Sequence, residues 1–89
     1  MKTIVRFPKY LDWLREQPCE ICGRHGPSQA CHVRRGTDGG MGVKPSDNFA
    51  FPMCLWCHNE QHWVGEKTFA AGKDLKAICA QYFEKWSQL

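Results

Sequence analysis

Cys54-Leu55-Trp56-Cys57-His58-Asn59-Glu60-Gln61-His62 holds four metal-binding side chains in two sets. Cys54 and Cys57 form a C-x-x-C pair, the spacing at which two thiolates on one tight turn grip a single zinc. His58 and His62 lie four apart, so on a helix they share a face and can hold a second ion. The stretch therefore predicts a short helix, from about Leu55 to Trp63, with a structural metal at its start and a working metal along its first turns.

The partners of the first set lie upstream. Cys19-Glu20-Ile21-Cys22-Gly23 is a second knuckle, with glycine where the backbone takes positive φ. Two such pairs about thirty residues apart predict one zinc on Cys19, Cys22, Cys54 and Cys57. A redox C-x-x-C needs a thioredoxin-like βαβ context, which is absent. Three disulfides among the six cysteines would require secretion. Residues 1–8 contain no apolar run fit for a signal peptide, and no segment is long enough to span a bilayer. The expectation is a cytoplasmic protein with no membrane partner.

At 89 residues this is one small domain, a size at which a core alone is marginal and a metal staple is common. The core of the domain is expected at about 19–63. Net charge is +3 and the pI about 8.6, which permits a nucleic-acid partner without demanding one. The lead-in of residues 1–8 ends at Pro8. Lys9 to Gln17 predicts a helix with one apolar face (Tyr10, Leu11, Trp13, Leu14), stopped by Pro18. Trp13 reads as core mass or, less simply, as a base-stacking platform. His25, in a polar turn, is a solvated loop residue or a substitute ligand.

Residues 29–33 predict a strand that sends Cys31 and His32 to opposite faces. A basic, glycine-rich loop follows, with Arg34, Arg35, four glycines between 36 and 42, and Lys44. A loop of that length in so small a domain implies function more often than not. Phe49 to Pro52 predicts a second strand. After the central helix, residues 66–71 can form one or two helical turns. Asp74 then caps a last helix, about 74–87, whose Leu75, Ile78, Tyr82, Phe83 and Trp86 make an apolar stripe. The stripe covers the core or forms a homodimer face, so the chain is expected as a monomer or homodimer. Cys79 beside it reads as a buried free thiol.

The order of strand with His32, loop, Asn48, strand, and helix with His58 and His62 resembles the ββα-metal finger of HNH endonucleases. The likeness is closest to small phage and prophage HNH proteins that share YLDW before a C-x-x-C, the GMGVKPSDN loop and C-x-x-C-H-x-x-x-H. It covers about residues 10–70. The resemblance implies a small α+β HNH domain with a four-cysteine zinc knuckle and flanking helices. His32, Asn48 and His58 would be its catalytic positions, with His58 and His62 on a catalytic divalent ion (magnesium, manganese, zinc or nickel). Asn48 would bond backbone across the loop and so orient His32.

The residues fit that chemistry independently. Phosphodiester hydrolysis needs a base near neutral pH, which a histidine supplies, and a Lewis acid on the phosphate. Arg34, Arg35 and Lys44 suit DNA phosphates. One departure stands out: many HNH proteins have Asp or His where this chain has Cys31, which is either a soft-metal ligand or a small buried residue. The expected function is DNA hydrolysis. The alternative is a noncatalytic zinc module that binds DNA or protein and has no use for three histidines together.

Overall fold

Pro8 opens the first helix instead of closing an extended lead-in. In the computed structural model, which describes residues 4–34, 37–38, 44–69 and 71–89, α1 spans Pro8–Arg15 with Phe7 as its N-cap. Proline's fixed φ suits the first helical position, where its missing N–H costs nothing. The helix ends two residues short of the expected Gln17, in a tight turn where Glu16 N bonds Trp13 O and Gln17 N bonds Leu14 O. Tyr10 and Leu14 are its fully buried residues.

The chain then runs through β1 (Gln29–His32), a 3-10 turn (Asp47–Phe49), β2 (Ala50–Met53), α2 (Leu55–Val64), α3 (Glu66–Phe69) and α4 (Leu75–Ser87). The second strand starts one residue later than its apolar pattern predicts, because Phe49 closes the 3-10 turn through its N–H to Ser46 O. β1 and β2 pair antiparallel, Gln29 opposite Met53 and His32 opposite Ala50. Pro52 sits in this ribbon without breaking it. Its carbonyl accepts from Glu20 N at 3.0 Å, and the N and O of one strand residue face the same side, so no ladder donor is lost. The same bond ties the first knuckle to the ribbon.

β2 is buried at all four positions, and alternation divides them between two cores. Phe51 and Met53 join Cys19, Cys31, Val33, Cys54, Cys57, Phe69, Leu75 and Cys79 in one cluster. Ala50 joins Tyr10 and Leu14 in the other, packed by Tyr82, Phe83 and Trp86 from α4. The α4 stripe is therefore spent largely inside the domain. The Tyr10 and Phe83 rings meet edge-on at 5.1 Å, and Tyr10 and Trp86 lie 5.3 Å apart. Trp13 belongs to this layer, 6.4 Å from Tyr82. Asp74 caps α4 by accepting from Ala77 N at 3.0 Å. Cys79 is fully buried, as its place beside the stripe predicts.

Tyr10 ties the aromatic layer to the ribbon, donating from Oη to Ala50 O at 3.0 Å in a fully buried contact. Tyr10→Phe leaves that carbonyl without its donor and should cost about 1–2 kcal/mol of stability. Urea unfolding of zinc-loaded wild type and variant measures it; equal midpoints would show the bond contributes nothing.

Candidate metal centre and active site

The two C-x-x-C turns converge. The Sγ atoms of Cys19, Cys22, Cys54 and Cys57 lie within 4.8 Å of one another, with Cys22 and Cys54 3.6 Å apart. Four thiolates around zinc at ~2.3 Å place sulfurs roughly 3.8 Å apart, so this donor set fits a tetrahedral metal. Local structure brings each pair into place. Gly23 takes φ +76 and its N–H bonds Cys19 O at 2.9 Å, curling the first turn. An added Cβ there would meet nothing within 4 Å, so glycine is needed for backbone conformation and not for room. Cys54 is the N-cap of α2, its carbonyl taken by His58 N, and Cys57 follows in the first turn. The Arg24 guanidinium lies 4.3 Å from the centre of the Trp56 ring, a second clasp between the turns.

Four thiols so close cannot all ionise without a cation. Burial alone would raise Cys19, but it is outweighed by hydrogen bonds from the backbone at Cys22, Cys54 and Ile21 and from the Cys22 thiol, which bring it down to about 6. Cys57 moves the other way, raised by burial and by contacts with its neighbours' sulfurs. The Cys19 thiolate is thus supported chiefly by backbone N–H groups and lastly by the Cys22 thiol, whose proton a bound metal would replace.

His58 and His62 also meet. Their Nε2 atoms are 3.0 Å apart and their rings 4.6 Å, on one face of α2. Two imidazole nitrogens at ~2.0–2.1 Å from a shared ion stand roughly 2.9–3.4 Å apart, so the pair fits two adjacent coordination positions. Gln29 of β1 hydrogen-bonds the other ring nitrogen of His58 through Oε1. A carbonyl oxygen only accepts, which puts the His58 proton on Nδ1 and leaves Nε2 facing His62 with a lone pair. Burial, and then the neighbouring His62, hold His58 below the ordinary histidine value.

His32 ends β1 with its side chain 15% exposed, and its Nε2 lies 2.9 Å from Asp47 Oδ1. Three positions on from Gln29, it faces the other side of the strand. Among the described residues no hydrogen bond or ring contact joins it to His58 or His62. Asp47 is almost fully buried and gathers three donors: His32, Arg6 Nη1 at 3.1 Å and Phe7 N at 2.7 Å. Burial would raise its carboxyl, but the bonds from His32, Phe7 and Arg6 outweigh that and hold it below the usual carboxylate range.

Sequence reasoning passed over Asp47 and chose its neighbour. Asn48 is half-buried beside Phe49, Phe83 and Glu84, and among the described residues its side chain makes no hydrogen bond. The resemblance gave Asn48 a hydrogen bond to backbone across the loop; the side chain hydrogen-bonded to His32 itself is that of its neighbour Asp47. Successive residues of a 3-10 turn point about 120° apart, so only one of the two can face His32. Cys31 lies in the apolar cluster, 3% exposed, outside the converging four, its thiol pushed up to about 12 by burial. His25 is exposed and also apart from the four thiols. Arg34 and Lys44 are exposed. Arg35 and the glycine-rich stretch at 36 and 39–43 lie outside the described residues.

Fold and donor set together define a small α+β domain built on a four-thiol metal knuckle, with a histidine pair on the helix the knuckle starts. The chain belongs to the family described as "Protein of unknown function (DUF968)", whose profile matches residues 2–78. It is similar to the "Uncharacterized protein YdfU" of Escherichia coli (strain K12), 41% identical over 54 residues. That match covers 61% of this chain and 15% of the relative, so the chain spans a small part of that protein's length. No solved structure matches. No helix among the described residues is long and apolar enough to cross a membrane.

Two outcomes follow for solution work. The protein should carry about one zinc held by four thiolates, released as pH falls because protons compete for the sulfurs. Cys57→Ser should lose both the metal and cooperative unfolding, read by metal analysis and circular dichroism; a metal-free chain that unfolds like wild type would remove the zinc assignment. Asp47 has a folded pKa below its unfolded value of about 3.9, so its stabilisation is fully present above that pH and lost as pH falls through the folded value. Asp47→Asn should therefore flatten the loss of stability below about pH 4, followed by thermal melts across pH.

Proposed function

We propose that this domain is a metal-dependent DNA endonuclease of the HNH type, of the kind carried by phages and prophages, working in the cytoplasm. Its main support is the 3.0 Å approach of His58 and His62 Nε2, on the helix that follows a ribbon whose first strand ends in His32. The order His32, ribbon, His58 and His62, pinned by a four-thiol knuckle, is the order of a ββα-metal finger.

A divalent ion held by His58 and His62 would supply Lewis-acid polarisation of the scissile phosphate and charge stabilisation of the leaving oxygen. Gln29 orients His58 for that ion from β1. His32, as general base, takes the proton of the attacking water, which requires the scissile phosphate to reach from the His58–His62 pair on the helix side of β1 round the strand's end to His32 on its other face. Arg34, Arg35 and Lys44 attract and position DNA phosphates without reading sequence. The four cysteines hold α2 against the ribbon and leave the chemistry to the histidines.

A second reading has its own support. Trp63 is 90% and Trp56 64% exposed, and seven residues apart on α2 they share one face. Exposed aromatics of this kind suit a noncatalytic zinc module that binds DNA or protein.

Plasmid cleavage across magnesium, manganese, zinc and nickel separates the two. The zinc-loaded wild type should cut. His32→Ala should keep its zinc and DNA affinity and lose about 10²-fold or more in rate. His62→Ala should lose most cleavage, partly restored by excess divalent metal. Arg34→Ala should weaken DNA binding and lower its salt slope by about one. No cleavage with any metal would favour the binding module; equal cleavage by wild type and His32→Ala would remove His32 from the mechanism.

A further inference from the structure

We infer that Asp47 is a positioning residue for His32, holding the neutral imidazole with its proton on Nε2 and its Nδ1 lone pair free for the base role. This rests on the nuclease reading above, in which His32 takes a proton from water.

The geometry leaves little freedom. An ionised carboxylate only accepts hydrogen bonds, so at 2.9 Å from Asp47 Oδ1 the His32 Nε2 must be the donor. A neutral imidazole has one N–H, and placing it on Nε2 makes Nδ1 the acceptor. Asp47 is itself fixed from three directions. Arg6 Nη1 reaches Oδ1 at 3.1 Å, Phe7 N donates to Oδ2 at 2.7 Å, and Asp47 N bonds Val5 O at 2.9 Å. The Arg6 guanidinium is anchored in turn by Pro45 O at 2.6 Å and Lys44 O at 3.1 Å. Next door, Ser46 Oγ takes Val5 N at 2.9 Å, and Asp38 holds Ser46 through both its N and its Oγ. With its side chain 3% exposed, Asp47 meets little competition from water for these donors.

The arrangement is that of a carboxylate which selects a histidine tautomer without itself taking the proton. It also gives the segment Val5–Phe7 a role, since Arg6 and the Phe7 amide hold the carboxylate that aims His32. A purely structural clasp would fix the same tautomer but leave the cleavage rate unchanged when it is altered, so the rate is what separates the two roles.

Long-range nitrogen–proton correlation spectra of histidine-labelled, zinc-loaded protein at pH 8.5 read that tautomer directly, apart from any activity. Wild-type His32 should be the Nε2–H form. In Asp47→Asn the amide can present N–H to Nε2, so the Nδ1–H form should gain population. Plasmid cleavage should then fall about 10²-fold or more, with zinc content and DNA affinity kept within about twofold. Arg6→Gln loosens the clasp but leaves the carboxylate, so it should keep the wild-type tautomer and cleave within about tenfold of wild type. An Nδ1–H tautomer in the wild type would overturn the inference, even if Asp47→Asn failed to fold. Unchanged tautomer and rate in Asp47→Asn would overturn it as well. A wild type that shows the Nε2–H form yet cuts no DNA sinks the nuclease reading and the catalytic half of the inference with it. The spectra and the cleavage assay thus tell the two failures apart.

Discussion

Four sulfur atoms within 4.8 Å of one another are the constraint on which the rest of this domain depends. Protonated, they are a crowd of weak donors; ionised, they repel. A metal held by them would resolve both problems and join residues 19–22 to 54–57, closing the chain segment that contains the ribbon and the loop between its strands. The same cysteines supply core volume, since Cys19, Cys54 and Cys57 pack with Phe51, Met53 and Leu75. In a chain of 89 residues, core and metal site share one set of residues.

From that anchor the helix α2 inherits its position. Cys54 caps it and Cys57 sits in its first turn, so the direction in which His58 and His62 project is set by where the four sulfurs meet. Their mutual approach is helical arithmetic, but the aim of the pair depends on Gln29 reaching across from β1. The ribbon is therefore a support on both faces: Gln29 and Cys31 on the helix side, Ala30 and His32 on the other.

The second anchor is polar. Asp47 draws together β1, the start of the 3-10 turn and the chain ahead of α1, a buried carboxylate with every contact a donor. Such a group is stable only because its partners are in place. It binds the segment Val5–Phe7 to the domain by polar contacts, alongside the packing of Phe7 on Phe83 and Trp86 of α4.

What the sequence determined by itself was local and periodic. Both C-x-x-C turns, the four-residue step from His58 to His62, the Asp74 cap, the α4 stripe and the ribbon's two strands all follow from spacing within a few residues. Tertiary structure decided the rest, because the partners lie far apart in the chain. Asp47 meets His32 across 15 positions and Arg6 across 41, and no local pattern marks it above Asn48 beside it. Whether Cys31 is a soft-metal ligand beside His32 or a small buried residue was also open from spacing. Burial among Phe51, Val33 and Cys79 placed it in the core, for a strand fixes only which face a residue takes, and the elements packed on that face fix what it meets.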